Sequence, residues 1–259
     1  MKIVQPLFFM LLLVAAAKMA AAADTVRVDP AHINTGVLKE GTNRYLEYFK
    51  KGKDSSRIMV QFWTRKISFT QYEGRDAILI EQEWEDKDTI VHTAKSYCDR
   101  KTMAPLFHNT WWKQRPGGTF DFIKKTAISN GAPLTEQDTA RKRKAAWGAF
   151  KKSLDQYVLN WHLDLETFPL LPYKEGRVFM IPYYEPGYTE SEAVAYTVTG
   201  SAMLEGYNGQ QIDCWILTHE TKGNKEVFWI SKKTKEVLKL EQTLNDKWYR
   251  YKIKLGFSV

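Results

Sequence analysis

The sequence has little of what unstructured chains are made of. Only 9 Pro and 15 Gly occur in 259 residues, and a hydrophobic share of 44% beside a charged share of 26% excludes a disordered, collagenous or low-complexity chain. It has two cysteines, Cys98 and Cys214, and no C-x-x-C pair, so redox and zinc-finger chemistry lack their ligands. After residue 23 no apolar run approaches the roughly 18 to 20 residues that a membrane-spanning helix needs. The patterns G-x-S-x-G, S-x-x-K, H-E-x-x-H, the P-loop and G-x-G-x-x-G are all missing. His219-Glu220 begins like a zinc motif, but Gly223 stands where the second histidine should be, and His32, His92, His108 and His162 are scattered. Asp and Glu are too numerous to single out an acid–base pair, Asp76 and Glu81 reading as a solvated strand face. No catalytic residue, metal or cofactor is nominated, and the chain is read as non-enzymatic.

What is present begins with an export signal. Lys2 supplies the positive start, Leu7 to Ala17 is an apolar run of 11, and Ala21-Ala22-Ala23 offers small residues for cleavage before Asp24. The expected address is periplasmic or secreted, with no lipid-attachment cysteine near the cleavage point. In such a compartment Cys98 and Cys214 could be joined in one disulfide, two buried thiols being the alternative. Without Lys2 and Lys18 the chain has 36 basic against 30 acidic residues, an excess of six. One concentration stands out, Arg141-Lys142-Arg143-Lys144 followed by Lys151-Lys152. It would attract phosphate, and in an exported protein a lipid headgroup met by Arg141 and Lys144 is the natural anion. A solvated helix face is the plain alternative.

Aromatic residues reach 14%, and bulky rings in short alternating runs favour strands. Residues 57–112 alternate as a half-buried sheet does, with Ile58, Val60 and Phe62 on one face, then Ile67 and Phe69, then Ile78, Ile80 and Trp84. Turn residues divide them into a four-strand meander. The same order returns over 194–256. Tyr207-Asn208-Gly209 follows Tyr72-Glu73-Gly74 by 135 residues, and Lys232-Lys233-Thr234 with Leu238 follows Arg100-Lys101-Thr102 with Leu106 by 132. An internal duplication would explain this, the alternative being that any antiparallel meander places Gly, Asn and Lys-Thr at its turns. A last strand carries Tyr249, Tyr251, Ile253 and Leu255 on one side and Trp248, Arg250, Lys252 and Lys254 on the other. Thr119 to Ala127 reads as one more strand.

About nine strands in two groups must close on each other or be covered, since bare edges invite pairing. The expected fold is mainly β (α+β), a curved antiparallel sheet or incomplete β-barrel in a single domain, 24–259. The cover is expected from a helical insert over about 135–167. Thr135 with Asp138 resembles a capping box, and Trp147, Phe150, Leu154, Tyr157, Val158, Trp161 and Leu165 recur every three or four residues until Pro169. Trp147, Phe150, Leu154, Tyr157 and Trp161 are candidates for a lid over an apolar cavity, with ordinary core as the alternative.

Three further segments carry a resemblance. They are Trp229-Ile230-Ser231-Lys232-Lys233-Thr234 with Leu238-Lys239-Leu240-Glu241, Leu154-Asp155 ahead of Phe168-Pro169-Leu170 and Gly176, and Tyr207-Asn208-Gly209 leading to Cys214-Trp215. With these, residues 55–250 resemble the LolA/LolB-like lipoprotein-sorting superfamily, and more closely a family of exported proteins of that architecture. The resemblance implies an incompletely closed barrel whose concave, apolar side lies under helices and, in the carriers, receives acyl chains. The basic insert around Arg141 is not part of that pattern. The expected partner is therefore an apolar small molecule or lipid, with peripheral membrane contact. The alternative is a structural module that docks an envelope protein on the basic face of the last strand. Nucleic acid is not expected.

Overall fold

The computed structural model describes residues 24–188, 190–206 and 209–256. The export signal expected over 1–23, and Tyr207 and Asn208 of the second Tyr-x-Gly turn, lie outside them.

The described chain opens with β1 (Thr25–Arg27) and β2 (Gly41–Lys51). The first meander continues through β3 (Ile58–Tyr72), β4 (Arg75–Asp86), β5 (Thr89–Asp99) and β6 (Pro105–Trp112). Three short strands follow, β7 (Gly118–Asp121), β8 (Thr126–Ser129) and β9 (Ala132–Pro133), then α1 (Arg141–Leu154) and β10 (Leu159–Asn160). A tight run of a 3-10 turn (Trp161–Leu163), α2 (Asp164–Thr167) and a second 3-10 turn (Phe168–Leu170) leads into the second half. That half comprises β11 (Val178–Tyr184), β12 (Glu192–Glu205), β13 (Gln211–Thr221), β14 (Asn224–Ser231), β15 (Val237–Leu244) and β16 (Trp248–Leu255).

All of these strands belong to one unclosed sheet, antiparallel except where β1 and β10 lie parallel to β11. The halves join through β16 and β2, paired from Trp248↔Lys51 to Leu255↔Arg44. β2 escaped the sequence reading, which started the meander at 57, and the single strand read over Thr119–Ala127 is the hairpin β7–β8. Asp121 turns that hairpin, its Oδ1 accepting from the backbone of Ile123 and Lys124.

The 132-residue repeat extends into the hydrogen bonds. In the β5–β6 turn the Met103 N–H donates to Asp99 O and Asp99 N–H to Ala104 O; in the β14–β15 turn Lys235 donates to Ser231 O and Ser231 to Glu236 O. Met103 and Lys235 both sit in the left-handed region, at φ 60° and 63°. Each turn follows a bulge at the corresponding place, Tyr97/Cys98 and Trp229/Ile230.

Two strands depart from the expected facing. Ile58, Val60 and Phe62 are exposed and Trp63 is buried, while Ile67, further along the same strand, is buried as expected. β3 begins beyond the end of β4, whose pairing starts only at Gln61↔Asp86, and a bulge opposite Glu47 shifts its register against β2. In β16 it is Lys252 and Lys254 that are buried, while Tyr251 stacks on Tyr48 at 5.1 Å. A two-residue period says which side chains share a face, not which face is inside. Lys252 and Lys254, half of the surface read as a docking face, are thus part of the interior.

The main core combines Ile67, Ile78, Ile80 and Cys98 of the first half with Phe179, Ile181, Val198, Leu217, Phe228 and Leu240 of the second, and with Leu163, Leu165, Phe168 and Leu170 between them. The long helix expected over 135–167 is confined to α1. Asp138 closes a turn on the Thr135 N–H at 2.7 Å, and the helix begins only after Ala140. It stops at Leu154 because the chain then pairs with β11 at Leu159 and Asn160. Ala146, Ala149, Phe150 and Ser153, one α-helical stripe, face Phe120 and Ala127 of β7–β8 and Tyr184 of β11. α1 therefore packs where the two ends of the sheet meet. Gly187, at φ +89°, serves that seam: a Cβ there would stand 3.0 Å from the Phe120 ring. Cys98 and Cys214 are free and buried in separate clusters. Among the described residues no helix is long and apolar enough to cross a membrane.

Because Phe150 is fully buried between α1 and both sheet ends, Phe150→Ala should cost about 3–5 kcal/mol. Urea unfolding checks this; a loss under 1 kcal/mol would mean that the seam contributes little.

Candidate functional site

The inner face of β3 carries a charge where sheets ordinarily carry a hydrocarbon. Arg65 is 1% exposed. Its Nε donates to Glu166 Oε1 at 2.8 Å and its Nη2 to the second oxygen of the same carboxylate. Nη2 also reaches the His162 carbonyl at 2.9 Å, which accepts from Gln82 Nε2 at 3.1 Å as well. Burial works against the guanidinium charge, but Glu166 outweighs it and holds the Arg65 pKa above its ordinary value. This pair binds α2 to the sheet.

Beside it lies a chain of imidazoles whose tautomers follow from their partners. His92 Nδ1 lies 2.8 Å from the Trp111 carbonyl, which can only accept, so Nδ1 holds the proton. His92 Nε2 must then accept from His162 Nε2, 3.0 Å away. His108 Nδ1 accepts from the Asn160 amide at 3.0 Å and the Ser96 hydroxyl at 2.9 Å, leaving its proton on Nε2. Burial lowers all three: His92 to about 4, His108 to about 3, and His162 well below its usual value, neighbouring imidazoles adding to the effect at His108 and His162. The imidazoles are neutral, His92 and His162 bonded to each other and His108 joined to His162 only through Asn160, and among the described residues no group of three or more His, Cys, Asp or Glu is arranged to hold a metal.

These groups flank a cavity of about 500 Å³, within the range of small-ligand sites. Its rings are Trp63, Trp84, Trp112, Trp161, Tyr196 and Phe228. Trp63 and Trp84 stack at 3.6 Å and 6°, Trp112 meets Trp84 edge-on at 5.2 Å, and Trp161 stacks on Tyr183 at 5.5 Å. Its charges are Arg65, Arg115, Arg250 and Lys252 with Asp164, Glu185 and Glu226. Arg250 Nη2 donates to Glu47 Oε2 at 3.0 Å and Nη1 to Gln242 Oε1 at 3.3 Å. The Lys252 Nζ lies 4.0 Å from the Trp63 ring centroid and 3.8 Å from Glu47, and burial pushes its pKa down to about 8. The Arg115 guanidinium covers the Trp112 ring at 3.3 Å. Burial raises the carboxyls of Glu185 and Glu226 above the ordinary range.

Of the five lid candidates only Trp161 lines this cavity. Trp147, Phe150 and Leu154 belong to the seam cluster, and Tyr157 packs on the main core with its hydroxyl on the Thr102 carbonyl. The headgroup candidates Arg141 and Lys144 are exposed on α1. Their neighbours Lys142 and Arg143 line a second hollow of about 490 Å³, where Arg143 is already paired with Asp138. Arg65 was missed, and Arg250 and Lys252 were assigned to a docking face, because charge on a strand reads as solvent-facing; Trp63, Trp84 and Trp112 carry no local signal that separates a cavity wall from ordinary core.

A family model described as Protein of unknown function (DUF3108) matches residues 24–254. No curated protein matches the chain.

The neutral imidazoles fix a pH dependence. Their folded pKa values lie below the unfolded value of about 6.5, so as pH falls below about 6.5 the unfolded chain takes up protons that the folded chain refuses. Their contribution is complete above that pH and is lost as pH falls toward about 4 and 3 for His92 and His108, at up to about 1.4 kcal/mol per pH unit for each histidine. Thermal unfolding between pH 7 and 4.5 should show a steep fall, made shallower in His108→Gln. Equal slopes in the two proteins would mean that the imidazoles are not the groups responsible.

Proposed function

The chain belongs to the DUF3108 family of proteins of unknown function across residues 24–254, and we propose that this member is an exported binding protein whose inner cavity receives an apolar or amphipathic small molecule, such as a lipid or an acyl chain. One observation carries the reading: four indoles surround a hollow of about 500 Å³ on the inner side of a sheet whose halves and ends pack together around it. Indole rings give a large rigid apolar contact, each with one polar handle. Each methylene buried against them contributes about 0.8 kcal/mol.

The segment 161–171 acts as the cover of the concave face in this reading, in place of the long helix. It is tied down by Arg65 and Glu166 and presents Trp161 to the hollow. The resemblance to lipoprotein-sorting proteins agrees with such a use, since in those carriers the corresponding hollow takes acyl chains, and envelope lipid or lipoprotein handling is the setting in which this receptacle would work. Export rests on the Lys2, Leu7–Ala17 and Ala21-Ala22-Ala23 pattern, and the family match starts directly after it. The reading as a protein-docking module loses its main support, because Lys252 and Lys254, half of the basic face on which it relied, are buried.

Protein purified from a host that exports it, extracted into organic solvent, should yield a defined lipid-like species by mass spectrometry. A fluorescent acyl probe should bind and quench tryptophan emission, and Trp161→Ala should weaken the probe about tenfold while the thermal transition stays cooperative. An empty extract together with no probe binding would overturn the proposal.

A further inference from the structure

The polar half of the cavity wall contains more hydrogen-bond donors than the fold uses. Trp84 Nε1, Trp112 Nε1 and Arg250 Nε belong to three residues that line the cavity, and these buried N–H groups have no partner among the described residues. Buried donors are nearly always paired in folded proteins. Lys252 adds an ammonium group on a side chain 3% exposed, with Glu47 beyond hydrogen-bond reach at 3.8 Å and already bonded by Arg250. A buried lysine without a close counter-ion weakens a fold unless something else uses its charge.

The acids of the wall are occupied or disfavoured as anions. Glu226 accepts from Gln242 at 2.9 Å and from Tyr196 at 3.3 Å, and burial raises its carboxyl. Asp164 accepts from the Leu165 N–H at 2.7 Å and is the acid that most favours the Lys252 charge, without a hydrogen bond to it, and burial raises the Glu185 carboxyl. Arg65 is committed through Nε and Nη2 to Glu166 and the His162 carbonyl. What remains unmatched is donor-rich and positive.

We propose that the cavity selects a ligand with an anionic head, a carboxylate or a phosphate, and that Lys252 and the Arg250 guanidinium hold that head while the indoles take the apolar body. The proposal rests on the reading of the cavity as a receptacle and names the class of molecule it takes. The head accepts from Lys252 and the Arg250 guanidinium by charge-assisted bonds. Arg115, lying on Trp112, adds a second positive group to the wall.

Dodecanoate, dodecyl phosphate, dodecanol and inorganic phosphate, titrated into the purified protein and followed by calorimetry, separate the possibilities. Both charged amphiphiles should bind at least tenfold more tightly than dodecanol. In Lys252→Met that advantage should fall to threefold or less, and Lys252→Arg should restore it. The Met variant should stay folded, because it replaces a buried amine with an apolar chain of similar length. Dodecanol binding as tightly as dodecanoate would overturn the anionic head and leave the receptacle standing. Inorganic phosphate binding as tightly as dodecyl phosphate would overturn the amphiphile in favour of a free-anion site. Binding of none of the four would overturn both proposals.

Discussion

The buried pair of Arg65 and Glu166 determines how the inside of this sheet is used. The partners stand 101 residues apart, one on a strand of the first half and the other on the single turn of helix between the halves. A guanidinium so enclosed has two ways to keep its charge, a matched carboxylate or the loss of the fold around it. The desolvation cost of such pairs means that they add little net stability, and their value lies in position. Here the position is that of 161–171, which must lie against β3 for Glu166 to reach Arg65 and which brings His162 and Trp161 with it. The carbonyl of His162, accepting from both Arg65 and Gln82, fixes the same segment a second time.

The consequence is an interior in two parts. Toward Ile67, Ile78, Ile80, Phe179, Val198 and Leu217 it is hydrocarbon and holds the two meanders together. Toward Trp63, Trp84, His162, Arg250 and Lys252 it is a layer of rings and charges around open space. A protein built only for stability would fill that space, because apolar replacements for buried ion pairs are often neutral or stabilising. The retention of Lys252, Arg250 and several unpaired N–H groups in one wall is what joins the fold to the proposed binding of an amphiphile.

The sequence made the architecture legible and the site illegible, for one reason. Turn chemistry is local: Asp99 to Ala104 and Ser231 to Glu236 form one kind of turn because their backbones demand it, and the 132-residue spacing exposed it. Alternation is local too, and it found the strands. Which face is inside depends on partners distant in the chain. Lys252 points inward because Glu47, Trp63 and the cavity lie there, and nothing within β16 reports that. The helical stripe from Trp147 to Leu165 misled for the opposite reason. Its spacing is helical throughout, yet pairing of Leu159 and Asn160 with β11, and the need of Arg65 for Glu166, override helix propensity after Leu154. Trp161 kept its role as a cavity wall although the helix assigned to it is absent.

The proposed receptacle depends on 161–171 being held against the sheet, and the tether is the part most open to direct measurement. Native-state hydrogen exchange by mass spectrometry on Glu166→Gln, which keeps shape and removes the charge, isolates it. If the Arg65 pair is the tether, amides over 161–171 should exchange at least tenfold faster than in the parent protein while β12–β15 keep their protection. Unchanged protection over 161–171 in that variant would contradict the tether, and with it the cover over the cavity.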